Sequence, residues 1–290
     1  MAHLPDLGVP LRSRWVEADG VRLHVVEAGP DDGPLVLLLH GFPEFWYGWH
    51  RQIPALARAG YRVWAPDQRG YNSSDAPRDV GAYDIDRLAD DVEALLDAAG
   101  SERAAVVGHD WGAVVAWWLA LRSPERVGRL AILNVPHPLA YKRFLPRSPR
   151  QMLKSWYVGV FQLPGLPEVG LRQLGARALR LSSAPGTFSD ADLARYRAAW
   201  SRPGRAHGMI SWYRALARRL GSVEFDDPTV RAPTLIVWGA DDAFLDRRLA
   251  ARSAAYCPDV RLHELAGVSH WVQHEAAETV NRLLLSFLDE

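Results

Sequence analysis

Apolar and polar positions alternate at the start of the chain and then change rhythm. Trp15 to Ala18 and Val21 to Glu27 flank Asp19-Gly20, a dipeptide whose tolerance of positive φ marks a two-residue β-hairpin. Beyond it come short unbroken apolar runs, each followed by a stretch with helical spacing. Leu35 to Leu39 is such a run, the pattern of a strand buried on both faces of a parallel sheet. A helix is expected near Glu44 to Arg58 and a strand at Arg62 to Ala65. An amphipathic helix over Ile85 to Ala99 ends at Gly100. Ala104 to Val107, Ala113 to Arg122 and Arg129 to Leu133 continue as strand, helix and strand. The rhythm resumes with a strand at Thr234 to Trp238, a helix near Asp246 to Tyr256, a strand near Val260 to Leu265 and a closing helix from about Trp271. This alternation predicts an α/β fold with a mostly parallel sheet.

Between His137 and Ser222 the strand rhythm stops. Seven prolines from Pro138 to Pro203 interleave with helical patterns such as Leu171 to Leu181 and Met209 to Leu220. Residues 137–222 are therefore read as a helical cap, or lid, inserted after the sixth strand; residues 1–136 and 223–290 form the core domain. A cap in that position lies over the sheet's carboxyl end, where ligand crevices form in open α/β sheets. The insertion holds fifteen Lys and Arg against three Asp and Glu, net +12, so the rest of the neutral chain carries −12. Salt bridges from arginine-rich helix faces to the acidic core are the expected reading. A steering field for anionic substrates or surfaces is the alternative.

Composition narrows the picture mainly by exclusion. Zero formal charge over 290 residues gives no general reason to expect a nucleic-acid partner. No apolar run reaches the ~18 residues of a membrane span. The first residues lack a charged n-region followed by an apolar stretch, so no secretory signal is expected. Cys257 is the only cysteine, so an internal disulfide is impossible and a cytoplasmic location is expected. The thiol itself is read as free and partly buried.

The chemistry concentrates where a strand gives way to a helix, at Gly108-His109-Asp110-Trp111-Gly112. The spacing is that of a nucleophile elbow, Gly-x-Ser-x-Gly, with aspartate in place of serine. A serine attacking saturated carbon would form an inert ether. A carboxylate forms an ester whose carbonyl belongs to the enzyme, and water can cleave that ester. Asp110 thus predicts an sp3 carbon electrophile, such as an epoxide or an alkyl halide. Its helpers should follow in the order acid, then histidine. Asp241 and Asp242 follow one late strand, and His270 follows the last. The amides of Phe42, after the run Leu35 to Leu39, and of Trp111 are placed to form an oxyanion hole. His40, Pro43, Trp46, Trp212 and Trp271 are expected to line a mainly apolar substrate pocket.

These residues resemble the epoxide hydrolases of the α/β-hydrolase fold over nearly the whole chain. The resemblance rests on His40-Gly41-Phe42-Pro43-Glu44, on Asp67-Gln68-Arg69-Gly70-Tyr71-Asn72-Ser73-Ser74-Asp75 and on the elbow. In the insertion, Trp156-Tyr157 with Phe161-Gln162-Leu163-Pro164-Gly165, and Ser211-Trp212-Tyr213-Arg214, resemble the segments bearing that family's two ring-opening tyrosines. The resemblance implies Tyr157 and Tyr213 as those tyrosines, and it aligns Asp242, not Asp241, as the acid. Chemistry asks for phenols independently: the departing alkoxide needs a proton or hydrogen bond, and a phenol of pKa ~10 supplies either. Tyr141, Tyr196, Tyr256 and His207 are read as structural.

The expected activity is hydrolysis of an apolar epoxide by water to a vicinal diol, with neither metal nor organic cofactor required. A haloalkane or haloacid dehalogenase shares the aspartate nucleophile. Such enzymes commonly place a polar residue where Phe42 stands, or an arginine where Trp111 stands. A non-catalytic ligand receptor on this fold is the reading from another class.

Overall fold

In the computed structural model, which describes residues 4–219 and 223–290, the expected apolar runs become strands of one eight-stranded sheet. Residues 220–222, which close the expected insertion and its last helical pattern, lie outside the described residues. In chain order the strands are β1 (Leu11–Ala18), β2 (Val21–Ala28), β3 (Leu35–Leu39), β4 (Arg62–Pro66), β5 (Ala104–His109), β6 (Val127–Leu133), β7 (Thr234–Gly239) and β8 (Val260–Leu265). Their order across the sheet is β1-β2-β4-β3-β5-β6-β7-β8. The hairpin β1–β2 and the β2–β4 pair are antiparallel, and the remaining pairs are parallel. The whole of β3 is buried, as an unbroken apolar run in a covered parallel sheet should be.

Register brings distant turns together. Leu39 pairs with Gly108, His109 with Leu133, Leu133 with Val237 and Gly239 with Leu265. The residues just beyond β3, β5, β6, β7 and β8 therefore emerge along one edge, and that edge holds Phe42, Asp110, Asn134, Asp242 and His270.

The helices beside the sheet are α1 (Ile53–Arg58), α2 (Ile85–Ala98) and α3 (Trp111–Arg122). Six more, α4 (Pro138–Phe144), α5 (Pro149–Lys154), α6 (Trp156–Val160), α7 (Leu166–Ser182), α8 (Asp190–Trp200) and α9 (Arg205–Arg219), fill the interval between β6 and β7. The last three are α10 (Arg248–Ala254), α11 (Val272–Glu275) and α12 (Ala277–Leu288). Two single helices expected from the pattern are each divided. Glu44 to Arg58 becomes a 3-10 turn at Trp46–Trp49 and then α1, which starts with Pro54 in its first turn, where a missing N–H costs nothing. The closing helix breaks at Ala276, whose φ of −119° and ψ of 37° are not helical. Arg219 supplies the expected bridge from the insertion to the core, pairing with Asp84 and Asp86 at 2.5 and 2.7 Å. Cys257 is free and buried.

Candidate active site

Asp110 sits between β5 and α3 with φ at 48° and ψ at −123°, a left-handed conformation that costs a non-glycine residue on the order of 1–3 kcal/mol. The turn is held by close packing on both sides. A Cβ on Gly112 would lie 2.0 Å from the Leu39 carbonyl oxygen, and one on Gly41 would lie 2.2 Å from the Asp110 Cβ. Only glycine at these positions lets the β3 turn and the start of α3 close around the aspartate.

The two oxygens of Asp110 meet different groups. The Phe42 N–H donates to Oδ1 at 2.6 Å. His270 Nε2 stands 3.5 Å from Oδ2. Trp111 carries the first N–H of α3, one of those that helical geometry leaves without an intrahelical acceptor. The Phe42-Pro43 bond is cis. Burial would raise the Asp110 pKa, but His270, His109 and the Phe42 amide outweigh it and hold the carboxyl below its usual range.

Behind His270 lies one of the two candidate acids. His270 Nδ1 donates to Asp242 Oδ2 at 2.7 Å, whereas Asp241 is exposed. Asp242 is itself fully engaged. Its Oδ1 accepts the amides of Phe244 (2.6 Å) and Leu245 (2.9 Å), and Oδ2 also accepts Asn134 Nδ2 at 2.7 Å. Burial pushes His270 down, yet the neighbouring carboxylates of Asp242 and Asp110 prevail and raise it to about 10.

The two tyrosines enter from the insertion. Tyr157 lies on α6 and Tyr213 on α9, with ring centroids 6.0 Å apart. The Tyr213 ring packs edge-on against Phe42 at 5.2 Å and Trp111 at 4.9 Å. Burial, reinforced by the Asp110 charge, raises both phenols well above their ordinary value. Both remain protonated donors over the working pH range. With Asp110 and His270 they line a cavity of about 1020 Å³. Its other walls are mainly apolar side chains, from α5, α6 and α7 on one side and Phe42 and Phe244 on the other, joined by Arg150 and Lys154.

The expected pocket residues divide. Pro43 and Trp271 line the cavity, whereas His40, Trp46 and Trp212 are not among its lining residues and are buried behind it. The His40 ring lies 3.0 Å from the Gly41 carbonyl and accepts the Gln68 amide. The Trp46 amide donates to Asp67, and the Trp212 indole donates to the Arg69 carbonyl while its ring packs on Trp111. These three support the walls. An aromatic or imidazole near an elbow is as useful for bracing loops as for touching ligand, and sequence does not separate the two.

Two groups at the site had no place in the sequence reading. Asn134 has φ at 52° and is buried; its side chain bonds Asp242 and accepts the Gly239 amide at 2.8 Å. Its position directly after β6, in line with the other strand ends, was the available signal. Glu44 is a buried carboxylate that accepts Tyr196 Oη and His274 Nε2 at 2.7 Å and Gln273 Nε2 at 2.9 Å. It also lies 3.3 Å from His109, whose Nε2 donates to the His270 carbonyl. Burial would raise Glu44, but His274 and His109 hold it well below the usual carboxylate range.

Residues 34–277 match the alpha/beta hydrolase fold family. The chain is 45% identical to the AB hydrolase superfamily protein YfhM of Bacillus subtilis, over 96% of this chain and 98% of that protein. It is 37% identical to epoxide hydrolase A of Mycobacterium tuberculosis, over 97% and 98% of the two chains. The crystal structure of epoxide hydrolase A from Mycobacterium thermoresistibile superposes with a TM-score of 0.83, at 36% identity, covering 97% of this chain and 98% of that one. The chain therefore belongs to the alpha/beta hydrolase fold family, in the branch that contains these epoxide hydrolases.

Proposed function

We propose that this protein hydrolyses epoxides to vicinal diols through a covalent ester on Asp110. One observation carries the reading: Asp110 presents one oxygen to a backbone amide and the other to His270, in the cavity that Tyr157 and Tyr213 also line. The relatives named epoxide hydrolase support the same substrate class. Residues 137–222 act as the cap that brings the phenols over the core's nucleophile.

In the first step Asp110 Oδ2, the oxygen outside the amide site, attacks one ring carbon. The C–O bond of the ring breaks and a tyrosine proton passes to the departing oxygen, leaving a hydroxyalkyl ester. Oδ1 stays on the Phe42 N–H as the ester carbonyl. Esterification removes the charge of Asp110, one of the two carboxylates that keep His270 protonated. The proton of His270 then passes to the phenolate, leaving a neutral imidazole. In the second step His270, oriented by Asp242, takes a proton from water as its oxygen attacks the Asp110 carboxyl carbon. The amides of Phe42 and Trp111 receive the developing oxyanion, where one such donor is typically worth ~2.7–4 kcal/mol. Collapse breaks the acyl C–O bond, and His270 gives its proton to the second diol oxygen. The proton left on the Asp110 carboxyl passes to the neutral imidazole, restoring the starting charges.

The test is to trap the ester. His270→Gln treated with styrene oxide should accumulate protein heavier by one epoxide, read by intact mass, with the adduct on Asp110. No adduct in the variant, from a substrate that the wild type turns over, would reject the scheme. Halide release from a matched haloalkane without diol formation from the epoxide would instead assign a dehalogenase.

A further inference from the structure

Among the described residues, nine large apolar side chains are exposed, and eight of them lie between Met152 and Leu181. Four of these, Leu153, Trp156, Leu166 and Leu174, also line the cavity although they are 74%, 68%, 60% and 57% exposed. They are the mouth of the cavity. Met152, Leu163, Val169 and Leu181 are exposed on the same stretch of chain, outside the cavity lining. Clustered exposure of this kind is unusual on a soluble monomer and marks a surface that meets something.

The charge around the collar identifies the partner. Residues 150–182, which hold these side chains, carry five Lys and Arg against the single acid Glu168, net +4. Arg150, Arg172 and Arg177 are exposed there, and Arg180, also exposed, pairs with Asp190. A second copy docking collar to collar would bring two such cationic surfaces together. A surface that is both apolar and anionic satisfies both features at once: leucine and tryptophan side chains seat at the boundary between headgroups and acyl chains, and cations bind the lipid phosphates.

We propose that this collar docks the protein reversibly onto an anionic lipid surface, with the cavity mouth turned toward the acyl chains. The docking stands on the exposed residues and their charge, independently of the epoxide reading. That an apolar substrate then enters the cavity from the lipid phase rests on that reading.

The test is co-sedimentation of the full chain with vesicles of phosphatidylcholine alone or mixed with phosphatidylglycerol. Binding is expected only to the mixed vesicles, and it should weaken as salt rises. Leu163→Ser/Leu181→Ser and Arg172→Glu/Arg177→Glu replace side chains outside the cavity lining. Each pair should weaken binding at least about tenfold while melting at the wild-type temperature. No vesicle binding, or equal binding to both vesicle types, overturns the proposal. Self-association of the wild type that Leu163→Ser/Leu181→Ser disperses, without vesicle binding, assigns the collar to a second copy and overturns it as well.

Discussion

The sheet with its edge loops and the helical insertion solve different problems. At the sheet edge every functional group is immobilised: Asp242 and His270 are 4% and 2% exposed, and each has fixed partners from more than one strand end. The insertion instead combines buried Tyr213 with half-buried Tyr157 and the most exposed apolar side chains among the described residues. Under the proposed mechanism the two chemical steps divide along the same line. Ring opening needs the insertion's phenols, whereas ester hydrolysis needs only groups on the core. Asp110 carries the covalent bond that joins the two steps.

That shared role makes Asp110→Ala the most severe change. Turnover should fall by at least about 10⁴-fold, as expected when a nucleophile is removed, and no adduct should form even with His270→Gln. Residual diol formation near the wild-type rate would dissolve the distinction altogether.

The next test separates the steps. Tyr157→Phe/Tyr213→Phe should slow ester formation by about 10²–10⁴-fold, the usual contribution of general acid catalysis. Decay of ester already formed should be unaffected. Rapid-mixing kinetics read both phases, and equal slowing of both would show that the insertion does more than open the ring.

Asn134→Ala makes the opposite selection from the core side. It removes one hydrogen bond to the buried Asp242 carboxylate and leaves the Gly239 amide without its acceptor. A loss of about 1–3 kcal/mol in stability follows from orphaning such buried groups. Ester hydrolysis should slow while ester formation stays within about twofold, because in the proposed mechanism His270 and Asp242 act in the second step. Asn134→Asp distinguishes positioning from packing, since it keeps the size but sets a second carboxylate beside Asp242.

The contrast between the regions also explains what could be read from the chain. Strands such as Leu35 to Leu39 were legible because burial on both faces leaves no choice of polarity. The elbow was legible because backbone geometry restricts Gly108 and Gly112. The acid and histidine followed from their order at strand ends, although choosing Asp242 over Asp241 relied on resemblance. The insertion was less clear: only parts of α7 and α9 stood out. The start of α7 was hidden by Pro167, which is tolerated in a first turn. The Ser189–Asp192 capping box is a local signal for the start of α8. Asn134 and Glu44 escaped because their roles depend on side chains more than a hundred residues away, which no local pattern encodes. His40, Trp46 and Trp212 show the same limit, since their residue types suit a pocket wall as well as the layer behind it.

The mildest test concerns charge rather than chemistry, and it asks whether Asp110 and Asp242 share the proton on His270. The folded pKa of His270, about 10, lies above its ordinary 6.5. The stability it contributes is fully present below about pH 6.5 and is lost as pH rises toward 10, because the folded state holds the extra proton in that window. The difference in melting temperature between wild type and His270→Gln should therefore shrink across that range, by a few degrees for a chain of this size. Asp110→Ala removes one of the two carboxylates, as the ester does, so in that background the loss should finish at a lower pH. If the window is unchanged in Asp110→Ala, Asp242 alone holds the proton. Esterification would then not release it, and the step that turns His270 into a base would need another source.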